Sequence, residues 1–302
     1  MKKIPDIWIT LILALFLTVA LSFILPKDEE KYLGDLFWTK KTFAPKKYDV
    51  VFMGDSRTYR GISPKVIESI VPKIKVLNFG YSDGGLNPVM FRAAEEKLAD
   101  DSEYKIIVLG ISPNTITGYS SDNKQYVQEL NRPREEVLER LYLNPLLYWF
   151  SATSPQDIKN ALCGIEDSVY YRNTFHMNGY AESEKFPVDT VEAIPYYKND
   201  FAKYKVEEKY TDVLFDQVKN WTEQGIKVLA FRPPVSVPMK MLEDSVANYN
   251  EENIMSGIQR SGGYWLRLNQ ADYKTYDGSH LDTKSAKKLS AEVAERIKTL
   301  TD

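Results

Sequence analysis

Tyr48-Asp-Val-Val-Phe-Met-Gly-Asp-Ser56-Arg-Thr58 decides how the rest of the chain is read. The apolar part, residues 48–54, reads as a strand buried in a sheet. It stops at Gly54-Asp55-Ser56, where a strand-to-helix turn exposes the serine at the carboxyl edge of a parallel sheet. Ser56 also suits the plainer role of a helix N-cap.

Outward from that stretch, strands and helices alternate. A short helix is expected over 63–71, with Pro64 in its first turn. A second strand spans 74–79 and ends at Gly80, and a helix over 87–99 again has a proline, Pro88, near its start. A third strand covers 104–111. An amphipathic helix over 206–224 is closed by Gly225 and leads into a strand over 226–231. A helix over 242–260, a fifth strand over 264–268 and a helix over 283–300 complete the series. In the last helix Ala286, Leu289, Val293, Ile297 and Leu300 recur on one face, with Asp282 as N-cap. This order predicts an α/β protein: a three-layer α/β/α sandwich around a mostly parallel five-stranded sheet.

Residues 112–205 interrupt the alternation and are too long for a bare connection. Residues 134–150 look helical, and Ser154-Pro155 heads another helix through Leu162. Residues 170–205 are rich in Tyr, Phe and Asn with little periodicity. The expectation is a helical and irregular insertion that is either a lid or substrate wall, or an excursion without ligand contact.

Charge is nearly balanced, 39 Lys and Arg against 42 Asp and Glu, which argues against a nucleic-acid partner. The single cysteine, Cys163, excludes an internal disulfide and a Cys/His metal cluster. No metal or cofactor is expected. The 20 tyrosines suit either an ordinary core with amphipathic rims or a carbohydrate-contacting surface.

Residues 7–25 are apolar and uncharged, and as a helix would be about 28 Å long. Lys2 and Lys3 precede them, and Lys27-Asp-Glu-Glu-Lys31 follows. The reading is a single-pass transmembrane anchor over 1–26 with a cytoplasmic N-terminus, a linker over 27–46, and one domain over 47–302 outside the cytoplasm. A cleaved signal peptide is the alternative, against which stands the bulky Ser22-Phe-Ile-Leu-Pro26.

Two segments carry chemistry. A serine hydroxyl is a poor nucleophile near neutral pH and needs a base whose tautomer is fixed by a partner. Ser56 supplies the hydroxyl, and Asp277-Gly-Ser-His280 supplies base and orienter. The other histidine, His176, lies in the insertion without a partner nameable from sequence. Arg57 and Arg232 are candidates for binding an anionic substrate, or for ordinary ion pairs.

Gly54-Asp55-Ser56-Arg57, Asn78-Phe79-Gly80 and Asp277 to His280 resemble three blocks of the SGNH, or GDSL-type, hydrolase superfamily. The remaining block, Gly-x-Asn-Asp, is replaced by Gly110-Ile-Ser-Pro-Asn114-Thr115, with a longer spacing and no following aspartate. The resemblance covers 47–112 and 206–300. It implies Ser56 as nucleophile, His280 as general base and Asp277 as orienter. It also implies an oxyanion hole from the Ser56 and Gly80 N–H groups, with Asn114 as third donor. With an N-terminal anchor, the chain is similar to bacterial envelope O-acyltransferases that work beside a multispanning membrane-bound partner. That implies acyl transfer, acetyl above all, onto a cell-envelope or secreted polysaccharide through an ester on Ser56. An esterase acting on such a polymer and a non-catalytic envelope assembly or glycan-binding protein are the alternatives.

Overall fold

A computed structural model describes residues 6–24, 29–150, 159, 163 and 169–301. Five strands form one parallel sheet: β1 Val50–Met53, β2 Val76–Asn78, β3 Ile106–Gly110, β6 Lys227–Phe231 and β7 Tyr264–Leu266. Two more, β4 Tyr170–His176 and β5 Tyr180–Phe186, pair with each other. The sheet order is β2-β1-β3-β6-β7, with Val50 beside both Val76 and Ile106. The chain therefore leaves β1 toward one edge and returns across it to build the other. That reversal opens a crevice at the carboxyl ends of β1 and β3, the place where open α/β sheets bind ligands.

Alternate side chains feed two cores, as the two-residue period of a strand requires. Val51, Met53, Ile107 and Leu109 pack with Phe91, Trp221 and Ile258 from the helices Pro88–Glu95, Glu208–Glu223 and Glu251–Arg260. Val50, Phe52, Ile106 and Val108 pack with Ile67, Leu289, Val293 and Ile297 from the helices Pro64–Ile70 and Thr283–Thr301. A strand buried on both faces reads as a continuous apolar run, which is what made β1 and β3 visible. Asp282 caps the last helix through its Oδ1, which accepts the Ser285 N–H at 2.7 Å.

Three regions depart from the sequence reading. Residues 242–260 hold parts of two helices, Val237–Val246 and Glu251–Arg260. The chain breaks at Asn248, whose φ is +58°, and Asn250 caps the second helix by accepting the Asn253 N–H at 3.0 Å. The insertion is more regular than expected. It holds the antiparallel β4–β5 hairpin and a helix over Ile194–Lys203. Most hairpin side chains stay at least partly exposed, so an apolar two-residue period never develops. Of the helix expected over 154–162 only residue 159 is described, and it is helical; the rest lies outside the described residues.

The third departure is the N-terminus. Among the described residues no helix is long and apolar enough to cross a membrane. This overturns the transmembrane helix expected over 1–26, and with it the single-pass anchored location. The helix Asp6–Ile24 opens on a charged residue. Within 27–46, Glu29–Thr42 is helical and turns Leu36, Phe37 and Lys41 into the protein.

Candidate active site

The turn after β1 is built on Gly54. Its φ is +148°, and a Cβ there would lie 2.1 Å from Thr58 Oγ1 and 2.8 Å from the Gly110 carbonyl. Only glycine lets the chain turn so tightly against β3. Asp55 then caps the short helix Ser56–Gly61: its Oδ1 accepts the Arg57 N–H at 3.0 Å. Its Oδ2 accepts the Ser112 hydroxyl at 2.5 Å, tying the turn to the loop after β3. The Asp55 carbonyl takes the N–H groups of Thr58 and Tyr59. Of the first four N–H groups, which no helix can satisfy internally, these bonds leave over that of Ser56.

The base sits on a loop held with equal economy. The Tyr276 N–H donates to the His280 carbonyl at 3.0 Å. Gly278, at φ +93°, passes where a Cβ would meet the Thr190 carbonyl at 2.3 Å. Asp277 Oδ1 accepts the backbone N–H groups of Ser279 at 2.8 Å and His280 at 2.7 Å. Its Oδ2 meets His280 Nδ1 at 2.7 Å, and His280 Nε2 meets Ser56 Oγ at 2.8 Å. Nδ1–H donation to the carboxylate leaves Nε2 as the acceptor for the serine hydroxyl. Residues 224 positions apart are thus joined by one pair of hydrogen bonds in series.

Electrostatics suit a base. Burial is the main force on His280 and holds its imidazole below the ordinary 6.5; Asp277 opposes it, and Arg60 and Arg57 reinforce it. Burial alone would raise Asp277. Hydrogen bonds from the His280 ring and from the His280 and Ser279 backbones overcome it and hold the carboxyl at about 2. The ring is neutral and the carboxylate charged near pH 7.

Arg57 and Arg232 are buried in ion pairs. Arg57 is 3% exposed and Arg232 1%. Both close on buried Glu243: Arg57 Nη1 at 2.5 Å from Oε1 and Arg232 Nη2 at 2.6 Å from Oε2. Arg57 Nε also donates to Ser279 Oγ at 3.0 Å. The residue after Ser56 therefore grips the residue before His280, fixing the two segments against each other. Of the two roles open to these arginines, the ion pair is the one seen, with Arg57 Nη2 and Arg232 Nε left unpartnered among the described residues.

The Gly80 N–H donates to Asn78 Oδ1 at 3.1 Å. The donor expected for an oxyanion hole is thus bonded within the chain. The glycine is still required, because a Cβ would lie 3.0 Å from the Tyr59 nitrogen. Asn78 Nδ2 meanwhile donates to the carbonyls of Thr58 and Ile62, holding the serine helix to β2. Asn114 lies in the loop after β3, buried, with its Oδ1 unpartnered among the described residues. His176 is at the end of β4, against Glu182 Oε2 at 3.2 Å and stacked on Tyr180, and is not joined to the triad. Among the described residues no group of three or more His, Cys, Asp or Glu side chains is placed to hold a metal ion.

Sequence reasoning missed Lys41, Glu243 and Arg60. Lys41 Nζ donates to the Gly80 carbonyl at 2.7 Å from within a cage of Phe37, Trp38, Tyr59 and Tyr81. Burial holds its ammonium well below 10.5. Glu243 did leave a signal: it follows buried Met239 by four residues, on the inward face of its helix.

No protein-family model matches this chain, and no curated protein matches it. Solved structures resemble it distantly. One is described as a platelet activating factor from Streptococcus pneumonia: 13% identity, 89% of this chain and 95% of that chain covered, TM-score 0.36. Another is a catalytic mutant of an acetylxylan esterase from Geobacillus stearothermophilus: 10% identity, 84% and 95% covered, TM-score 0.40. At that distance they fix neither family nor activity for this chain.

Proposed function

We propose that the chain is a serine acyl-ester enzyme. Ser56 is the nucleophile, His280 the general base and then acid, and Asp277 the group that holds the imidazole and stabilises its charged form. The observation that carries this reading is the series Asp277 Oδ2, His280 Nδ1 and Nε2, Ser56 Oγ, with contacts of 2.7 and 2.8 Å. Ser56 Oγ attacks the ester carbonyl carbon while its proton passes to Nε2. The tetrahedral oxyanion is met by the Ser56 N–H, and the Asn114 amide is assigned as a second donor. Collapse expels the alcohol, which takes the proton from Nε2 and leaves the acyl group on Oγ. A second hydroxyl then gives its proton to Nε2 and attacks the acyl carbon; the bond to Oγ breaks, Nε2 returns a proton to Ser56 Oγ, and the acyl group leaves on the acceptor.

The acceptor decides the name of the activity. A sugar hydroxyl as acceptor makes the chain an O-acyltransferase; water as acceptor makes it an esterase. An activated acyl ester is expected to add one acyl group to Ser56 by intact-mass measurement and to spare Ser56→Ala. Oligosaccharide is expected to speed loss of that group and to recover it on the sugar. Release that no glycan alters assigns the esterase, and absence of labelling in folded protein overturns the reading.

A further inference from the structure

Arg57 and Arg60 lie three residues apart on the serine helix and meet opposite surroundings. Arg57 is spent on Glu243. Arg60 has no carboxylate within ion-pair distance among the described residues. Three phenols surround it instead. Its Nε donates to Tyr59 Oη at 3.1 Å, and its Nη1 donates to Tyr276 Oη at 2.6 Å and to Tyr171 Oη. The guanidinium carbon also lies 5.3 Å from the Tyr59 ring centroid and 5.5 Å from that of Tyr171. Burial raises the Tyr276 hydroxyl well above its ordinary 10.0, so it stays neutral and leaves the arginine's charge uncompensated. These bonds take Nε and Nη1 and leave Nη2 without a hydrogen-bond partner among the described residues.

The charge stands beside the triad. Arg60 follows Ser56 by four residues, which puts both on one face of the helix. The ring of Tyr276, which Arg60 grips, stacks on His280 with centroids 5.7 Å apart and planes 16° apart. Tyr171 is 42% exposed, so the cluster borders solvent. A partly desolvated cation without a counter-ion is unfavourable alone and favourable once an anion docks. The two N–H groups of Nη2 remain to meet an anionic oxygen.

We infer that Arg60 recognises an anionic oxygen group, a carboxylate or a phosphate ester, carried by the substrate that Ser56 acts on. Tyr59, Tyr171 and Tyr276 orient the guanidinium without neutralising it. The inference rests on the catalytic reading of Ser56 and adds the charge of the substrate: an acidic glycan rather than a neutral one.

Calorimetry on the full chain tests it with trigalacturonate for the carboxylate, glycerol phosphate for the phosphate, and maltotriose as the neutral control. One of the two anions is expected to bind at least about tenfold more tightly than maltotriose, with affinity falling as salt rises. Arg60→Gln is expected to bring that ratio to about one, and Arg60→Lys to keep part of it. If Arg60→Gln does not unfold cooperatively, Arg60→Lys and the salt dependence of the wild type carry the test. Equal binding of anionic and neutral probes by the wild type overturns the inference, as does a preference unchanged in the folded Arg60 variants. Acyl labelling of Ser56 in the same wild-type preparation reports separately on the catalytic reading.

Discussion

The sheet edge that carries Ser56 and His280 and the β4–β5 hairpin beside it are held together by different means. At the sheet edge the polar contacts are buried: Arg57, Glu243 and Arg232 are all 3% exposed or less, and Asn78 is fully covered. Each is bound on more than one side, and together they tie four separate segments of chain. The hairpin has a buried side-chain bond between its own strands, Ser183 Oγ to Asn173 Oδ1 at 2.7 Å, and its ion pairs lie at the rim. Glu182 bonds His176, whose side chain is 37% exposed, and Lys287, whose side chain is 52% exposed. Its closest join to the sheet is at its tip, where the Asn78 N–H donates to the Asn178 carbonyl at 3.0 Å and Gly179 passes with φ +94°. Chemistry that needs sub-ångström placement sits on the first region, and a surface that can adapt to a ligand sits on the second.

The two histidines give the strongest way to break this comparison. His280→Ala is expected to slow acylation of Ser56 by about 10⁴-fold or more. His176→Ala is expected to stay within about twofold, since its partners belong to the hairpin rim. Intact-mass kinetics with an activated ester measure both. Similar losses in the two variants would place the hairpin inside the chemical step and erase the division.

Stability should divide in the same way. Glu243→Gln leaves Arg57 buried without its counter-charge and is expected to lower unfolding free energy by about 3–5 kcal/mol. Lys287→Met removes a largely exposed ion pair on the hairpin and is expected to cost about 0–1 kcal/mol. Chemical denaturation compares the two, and equal midpoints would contradict the distinction.

The pH profile sharpens it further. In the proposed mechanism the neutral His280 ring is the base, and its folded value is depressed. The acid limb of the acylation rate is therefore expected below 6.5. By the same sign, the neutral ring's contribution to stability is complete above 6.5 and is lost as pH falls through the folded value. For Asp277, held at about 2 against 3.8, the contribution is present above 3.8 and fades as pH falls toward 2. An acid limb centred at or above 6.5 would show that burial does not govern the site.

The smallest effect is expected from Tyr171→Phe, which removes the hairpin hydroxyl that Arg60 reaches. Hairpin amides are expected to exchange faster, by about 1 kcal/mol in opening free energy, with sheet amides unchanged. Faster exchange throughout the sheet would mean that the hairpin supports the fold and is not an attachment to it.

Composition and pattern alone determined the order of strands and helices around the sheet. They did so because a strand buried on both faces must be apolar throughout, and a helix covering it must repeat its apolar residues every three to four positions. The local motifs were legible for a similar reason. Gly54 is demanded by a positive φ, and Asp277 reaches His280 only three residues away. Everything that joins distant segments was decided by the tertiary structure. Arg57 and Arg60 are the same residue type on the same short helix, and nothing in their neighbours along the chain assigns one to a buried carboxylate and the other to three phenols. Glu243 lies 186 positions from Arg57, and Tyr171 lies 111 from Arg60. The reach of a guanidinium is a few ångströms, so its partner is whatever the packed layers bring there.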